Sequence, residues 1–150
     1  MSANIHIQLE DFDVGEEVEA LTAEQPDTGA VASFVGLVRG GDDLVALTLE
    51  HYPGMTEREI AHIAEDAGKR WALTGVTVIH RIGRLTVGER IVLVAVAAAH
   101  RGSAFAACEF LMDYLKTRAP FWKQEERGGA SAWVEARPAD DAAAARWRQG

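Results

Sequence analysis

Two amines flank a proline–aromatic bend late in the chain: Lys116 and Lys123, on either side of Pro120-Phe121-Trp122. An amine beside bulky apolar groups is partly desolvated, which lowers its pKa and makes it a better nucleophile or acid–base group. Lys123, directly after Phe121-Trp122, has that setting. Lys116 and Arg118 fall in the last turn of a predicted helix, where the helix dipole favours any cation. Spacing alone balances that plain account against a functional one. His100-Arg101 stand just ahead of the same helix. Backbone N–H groups at a helix start attract anions, and an arginine adds a two-pronged donor for phosphate. A structural arginine paired with a surface carboxylate is the equal alternative. Arg39 sits at a turn beside Gly40-Gly41, where an ordinary solvated arginine is the plainer reading. Gln124 and Glu125 follow Lys123 directly.

Other chemistries find little support. The single cysteine, Cys108, lies on the inward stripe of the helix, where cysteine packs as a small apolar residue. A chain that moved sulfur would therefore have no evident cysteine to carry it. His51, His80 and His100 show no metal-ligand spacing, and His80 reads as a hydrogen-bonding group at a strand end. No metal site is expected. A phosphate loop and a Gly-x-Ser-x-Gly elbow are both absent.

These residues need elements to hold them. Apolar residues at Ala104, Ala107, Cys108, Leu111, Met112 and Leu115 predict a helix over 103–119, capped by Ser103 and stopped by Pro120. The almost wholly apolar run 91–99 predicts a strand covered on both faces. Strands are also expected at 4–9, 29–38, 44–51 and 75–82, with 29–38 and 44–51 forming a hairpin across the turn 39–43. Asp13 caps a short helix, and Thr56 with Glu59 reads as a capping box opening a helix to Trp71. Gly83 and Val87-Gly88 read as a connection. Two short strands, 121–127 and 131–136, are joined at Gly128-Gly129, and Asp140 or Asp141 caps a final helical turn reaching Trp147. The order predicts one α+β domain over 1–150 with a mainly antiparallel sheet.

The 150 residues, 48% hydrophobic and 25% charged, match an ordinary soluble globular protein. A net charge of −8 argues against a nucleic-acid binder while leaving room for a local basic pocket. The lone cysteine and the absence of an evident leader fit a cytoplasmic setting.

The blocks Leu49-Glu50-His51-Tyr52-Pro53-Gly54-Met55, Val78-Ile79-His80-Arg81-Ile82-Gly83, Ala99-His100-Arg101, the run from Met112 to Lys123, and Trp133-Val134-Glu135-Ala136-Arg137 together resemble the large, catalytic subunit of molybdopterin synthase. They occur in the family's order and span about 29–147. The resemblance implies an α/β hammerhead with a small additional β subdomain. It implies a sulfurtransferase that converts cyclic pyranopterin monophosphate, precursor Z, into molybdopterin for molybdenum cofactor biosynthesis. The sulfur would arrive as a thiocarboxylate on the C-terminal Gly-Gly of a small ubiquitin-like subunit. The implied assembly is a homodimer of this chain within a heterotetramer, with a pocket drawn from both protomers and no metal or cofactor of its own. Lys116 and Lys123 match the family's catalytic lysines. Arg39, His100 and Arg101 match residues that hold the anionic pterin, with Gln124 and Glu125 in the same binding segment. The chain departs from the family at Leu37, where many members carry lysine, and at 39–43, a shorter and more acidic loop. Gln124 stands where relatives are often basic. If the altered loop no longer holds substrate, the chain is a non-catalytic module that docks a Gly-Gly tail. A third reading is a small anion-binding regulator sharing only the fold.

Overall fold

The computed structural model describes residues 1–128, 130–134 and 138–149. In chain order the elements are β1 (Ser2–Gln8), α1 (Val14–Thr22), β2 (Ala30–Leu37), β3 (Leu44–His51), α2 (Met55–Trp71), β4 (Gly75–Arg81), β5 (Gly83–Thr86), β6 (Arg90–Ala98), α3 (Arg101–Thr117), β7 (Phe121–Arg127), β8 (Ala130–Val134) and α4 (Pro138–Ala145), followed by a 3-10 turn, Arg146–Gln149. After Arg90, β6 has no polar side chain to offer to water, so it takes an interior place in the first sheet, ordered β1-β4-β6-β2. Helices α2 and α3 cover one face of that sheet, where Ile60, Ile63, Phe110 and Leu111 meet Val76, Val78, Val94 and Val96. Helix α1 covers the other face through Leu21, against Ile79, Leu93, Ala95 and Ala97. The expected two-sided burial of this strand holds.

The second sheet is ordered β5-β3-β7-β8, and its apolar face closes over Val38, Leu47, Leu49 and Leu85. Every strand pair in the two sheets is antiparallel except β1 with β4. This is the mixed, mainly antiparallel architecture expected, with the smaller sheet as the additional β unit.

Some local expectations are corrected. Strands β2 and β3 do not form a hairpin: β2 pairs with β6 at the edge of the first sheet, and β3 lies between β5 and β7 in the second. The backbone edge of β2 is paired with β6, so the short turn passes the chain from one sheet to the other. Gly83–Thr86 is a strand, its Leu85 buried, where a connection was expected. Helix α2 begins at Met55 with Gly54 as N-cap, at φ 85°. The carboxylate of Glu57 accepts the Gly54 N–H at 3.1 Å. The capping contact therefore runs from 54 to 57, two residues earlier than the Thr56–Glu59 match. Thr56 is spent elsewhere: its hydroxyl accepts from the Tyr52 N–H and donates to the Pro120 carbonyl, both at 2.9 Å. Helix α3 starts at Arg101 with His100 as N-cap, two residues ahead of Ser103, and ends at Thr117. Asp140 and Asp141 lie in the first turn of α4 and do not cap it. The expected ends of the strand 131–136 and of the Trp133 block, at 135–137, lie outside the described residues.

Candidate active site

Between the two sheets and the C-terminal end of α3 lies a groove of about 650 Å³. The last turn of α3 brings Leu115 and Lys116 to it, and after the Pro120 bend β7 brings Phe121, Lys123, Glu125 and Arg127. These four alternate along one strand, so the pleat sends all of them to one face. Gln124 and Trp122 fall on the opposite face, and neither lines the groove. Leu49 and Leu47 on β3, directly opposite Lys123 and Glu125, form an apolar wall. The loop residues Arg39, Gly40, Gly41 and Asp42 form one rim, with Asp140 of α4 also lining the cavity. A second lobe of about 420 Å³ adjoins, sharing Leu37, Arg39, His80, Ile91, Leu115 and Lys116 with the first. Phe34, Val35, Gly36, Val92 and Met112 complete its wall. A Cβ on Gly36 would approach Val92 to 2.8 Å, so the absence of a side chain there keeps this lobe open.

The loop at the rim is tightly formed. Gly41, Asp42 and Asp43 all have positive φ, 125°, 50° and 60°. Aspartate is among the few residues that tolerate this region. Arg127 donates to the carbonyls of Gly41 at 3.2 Å and Asp42 at 2.7 Å, while its guanidinium pairs with Glu125 at 2.8 Å. Glu125 thus serves as an anchor for Arg127, and Arg127 ties the carrier loop of Arg39 to β7.

His80, at the end of β4, stacks on Phe121 with ring centroids 3.8 Å apart and 18° between planes. Burial is the main cause that drops its pKa to about 4, with the charges of Lys116 and His51 acting in the same direction. Its Nδ1 lies 2.9 Å from the Arg81 carbonyl, a contact that opposes the drop. The imidazole is therefore neutral at pH 7.

Among the residues expected to act, Arg39, Lys116, Lys123 and Glu125 line one cavity. His100 and Arg101 do not join them: they sit at the opposite end of α3 from Lys116, about 24 Å away along the helix. Arg118 is resolved as structural, since it pairs with Glu59 at 3.3 Å and Asp66 at 3.5 Å on α2. Cys108 is buried against the Val94 carbonyl, and burial pushes its thiol up to about 11, so it is held as an inert thiol. Arg127 was not singled out from the sequence, and His80 was read only as a hydrogen-bonding group at a strand end. The two-residue step Lys123, Glu125, Arg127 on a strand was the available signal for Arg127. Nothing in the spacing marked His80, whose place depends on β4 ending beside β7. Among the described residues no group of three or more His, Cys, Asp or Glu is placed to hold a metal, and no helix is long and apolar enough to cross a membrane.

The model of the family described as MoaE protein matches residues 7–118 of the chain, about three quarters of its length. The chain belongs to the MoaE family. A relative in Vibrio cholerae, named molybdopterin synthase catalytic subunit, is 55% identical over 150 residues, covering 98% of this chain and 99% of that one. The solved structure of molybdopterin cofactor biosynthesis protein E from Burkholderia multivorans superposes with a TM-score of 0.86 at 54% identity, covering 99% of this chain and 98% of that one. A more distant structure shares the fold at a TM-score of 0.76 and 21% identity, covering 89% and 91%. It is a complex of subunits 1 and 2 of molybdopterin-converting factor from Helicobacter pylori. The MoaE family match extends through the last turn of α3 and so includes Arg39, His100, Arg101 and Lys116.

Proposed function

We propose that this chain is the catalytic subunit of a molybdopterin synthase. It transfers sulfur from the C-terminal thiocarboxylate of a small ubiquitin-like subunit to cyclic pyranopterin monophosphate, building the molybdopterin dithiolene. The observation that carries this reading is the convergence of Lys116, Lys123 and Arg39 on one groove in a member of the MoaE family. The groove suits a thin peptide tail, with apolar walls from Leu47, Leu49 and Leu115 and cations at the point of reaction.

In this reading the tail's sulfur forms a bond to a carbon of the pterin as a carbon–oxygen bond at that carbon breaks and the displaced oxygen takes up a proton. Water then attacks the acyl carbon, the acyl carbon–sulfur bond breaks, and the tail is left as a carboxylate. Lys116 stabilises the negative charge that gathers on the acyl oxygen during that attack. Lys123 moves a proton to or from the pterin, and Arg39 holds its cyclic phosphate. The inert Cys108 fits a sulfur atom that arrives on another chain. His100 and Arg101, remote from Lys116 on their own chain, serve the groove of a second protomer. The active unit is then a homodimer with a small subunit at each groove, working in the cytoplasm. The complex from Helicobacter pylori supports a two-subunit assembly.

Reconstitution tests this directly. The chain, mixed with a thiocarboxylated small subunit and the cyclic pterin, yields the dithiolene product. Stable assembly with the Gly-Gly-tailed partner and no product would instead favour the non-catalytic docking module.

A further inference from the structure

The second lobe of the groove has a one-sided hydrogen-bonding character. Its polar side chains are Arg39, Lys116 and His80. Arginine and lysine only donate, so they can meet anionic or carbonyl oxygens but not an N–H. His80 differs. Its Nδ1 is 2.9 Å from the Arg81 carbonyl, which can only accept, so Nδ1 carries the proton. In the neutral ring that leaves Nε2, the distal nitrogen, as a bare acceptor. The stack on Phe121 at 3.8 Å and the backbone bond together fix the ring plane and the direction of that lone pair. The remaining walls are apolar, with Phe34, Leu37, Ile91 and Met112 among them.

The geometry points to His80 as a specificity-determining residue that accepts a hydrogen bond through Nε2 from a ring N–H of the pterin, while Arg39 and Lys116 donate to its anionic and carbonyl oxygens. This rests on the function proposed above and adds a polarity check to it. A flat nitrogen heterocycle presents both kinds of group on one edge, and the lobe presents both complements between apolar walls. A ring lacking the N–H leaves Nε2 without a donor against the covering ligand, which is the costly mismatch that makes polar sites selective. Burial, assisted by the nearby charges of Lys116 and His51, keeps the imidazole neutral, so the lone pair remains available across the physiological range. The ring touches substrate without taking part in the sulfur step.

The test uses the full chain with its thiocarboxylated partner. His80→Phe keeps a flat ring against Phe121 and removes the acceptor. It raises the pterin KM about tenfold, changes kcat much less, and leaves the affinity for a carboxylate-tailed partner unaltered. His80→Gln, which supplies both an N–H for the Arg81 carbonyl and an acceptor oxygen, recovers most of the loss. Nitrogen-15 spectra of the wild-type chain give a readout that does not depend on either variant folding. His80 Nε2 resonates as the unprotonated, pyridine-like nitrogen between pH 8 and 5.5 and moves on addition of the pterin. An Nε2 that is protonated, or that stays unmoved while the wild type turns over, overturns the assignment and leaves the proposed function intact. The same holds for a pterin KM unchanged in His80→Phe, or for a loss confined to tail affinity. Absence of wild-type turnover, with no pterin-induced shift, overturns the proposed function and this inference together.

Discussion

Replacing Thr56 by valine should unfasten the bend that separates the two lysines. Thr56 is fully buried, and its hydroxyl bridges the Tyr52 N–H and the Pro120 carbonyl at 2.9 Å each. Pro120 is the link between the helix that carries Lys116 and the strand that carries Lys123. Valine keeps the volume and leaves both backbone groups without their partner. An unmade bond of this kind costs about 1–3 kcal/mol. Both groups are only partly buried, so the low half of that range applies and the loss is about 2–4 kcal/mol in total. For a chain of this size that lowers Tm by roughly 4–16 °C. Thr56→Ser keeps the hydroxyl and loses one methyl, a cost under about 1 kcal/mol. Urea and thermal melts of the three proteins measure the difference, and sulfur transfer per folded molecule should fall about tenfold in Thr56→Val as the lysines lose their relative placement. A valine variant within about 0.5 kcal/mol of wild type would show that the bridge holds nothing that water does not.

Three further outcomes follow. Arg127→Ala releases the loop 39–43, so kcat/KM for the pterin falls about fivefold or more, while stability changes by under about 1 kcal/mol because the pairing with Glu125 is partly exposed; steady-state kinetics beside a denaturant melt separate the two. His80 binds its proton less readily folded, at about 4, than in the unfolded chain, at 6.5, so the unfolded state takes up more protons between those values and stability falls as pH drops through that window. The contribution is complete above pH 6.5, on the order of 3 kcal/mol of it is lost by pH 4, and His80→Phe should flatten this part of the stability–pH curve measured by urea melts. Lys116→Ala and Arg101→Ala, each inactive alone, should regain about a quarter of wild-type activity when mixed under subunit exchange, since half the dimers are mixed and each mixed dimer holds one intact groove; no recovery on mixing would place Arg101 outside a shared site.

Strongly periodic segments were legible in the sequence because their burial is local. The apolar run that became β6 and the stripe Ala104, Ala107, Cys108, Leu111 and Leu115 of α3 are read directly from spacing. What failed were features decided by distant partners. Nothing near residue 38 announces that β2 will pair with β6 and β3 with β7, because both strands are short and their alternation fits either arrangement. Strand β5 is only four residues long and owes its existence to β3. The frame of the capping box at α2 was decided by the demand of Pro120 for the Thr56 hydroxyl, a contact 64 residues away in sequence. The site divides in the same manner. Lys116 and Lys123 stand out by their motif, and strand alternation separates Lys123 from Gln124. The place of His80 against Phe121, and the capture of the 39–43 loop by Arg127, arise only once the two sheets meet.

The central claim is that the amine of Lys116 acts at the sulfur-bearing end of an incoming peptide tail. Single-turnover sulfur transfer from a thiocarboxylated small subunit to the cyclic pterin, compared between wild type and Lys116→Ala, tests it most directly. The account predicts a fall of at least about a hundredfold in the rate, with the variant still folded and still binding a carboxylate-tailed partner. Transfer at the wild-type rate by folded Lys116→Ala would contradict it.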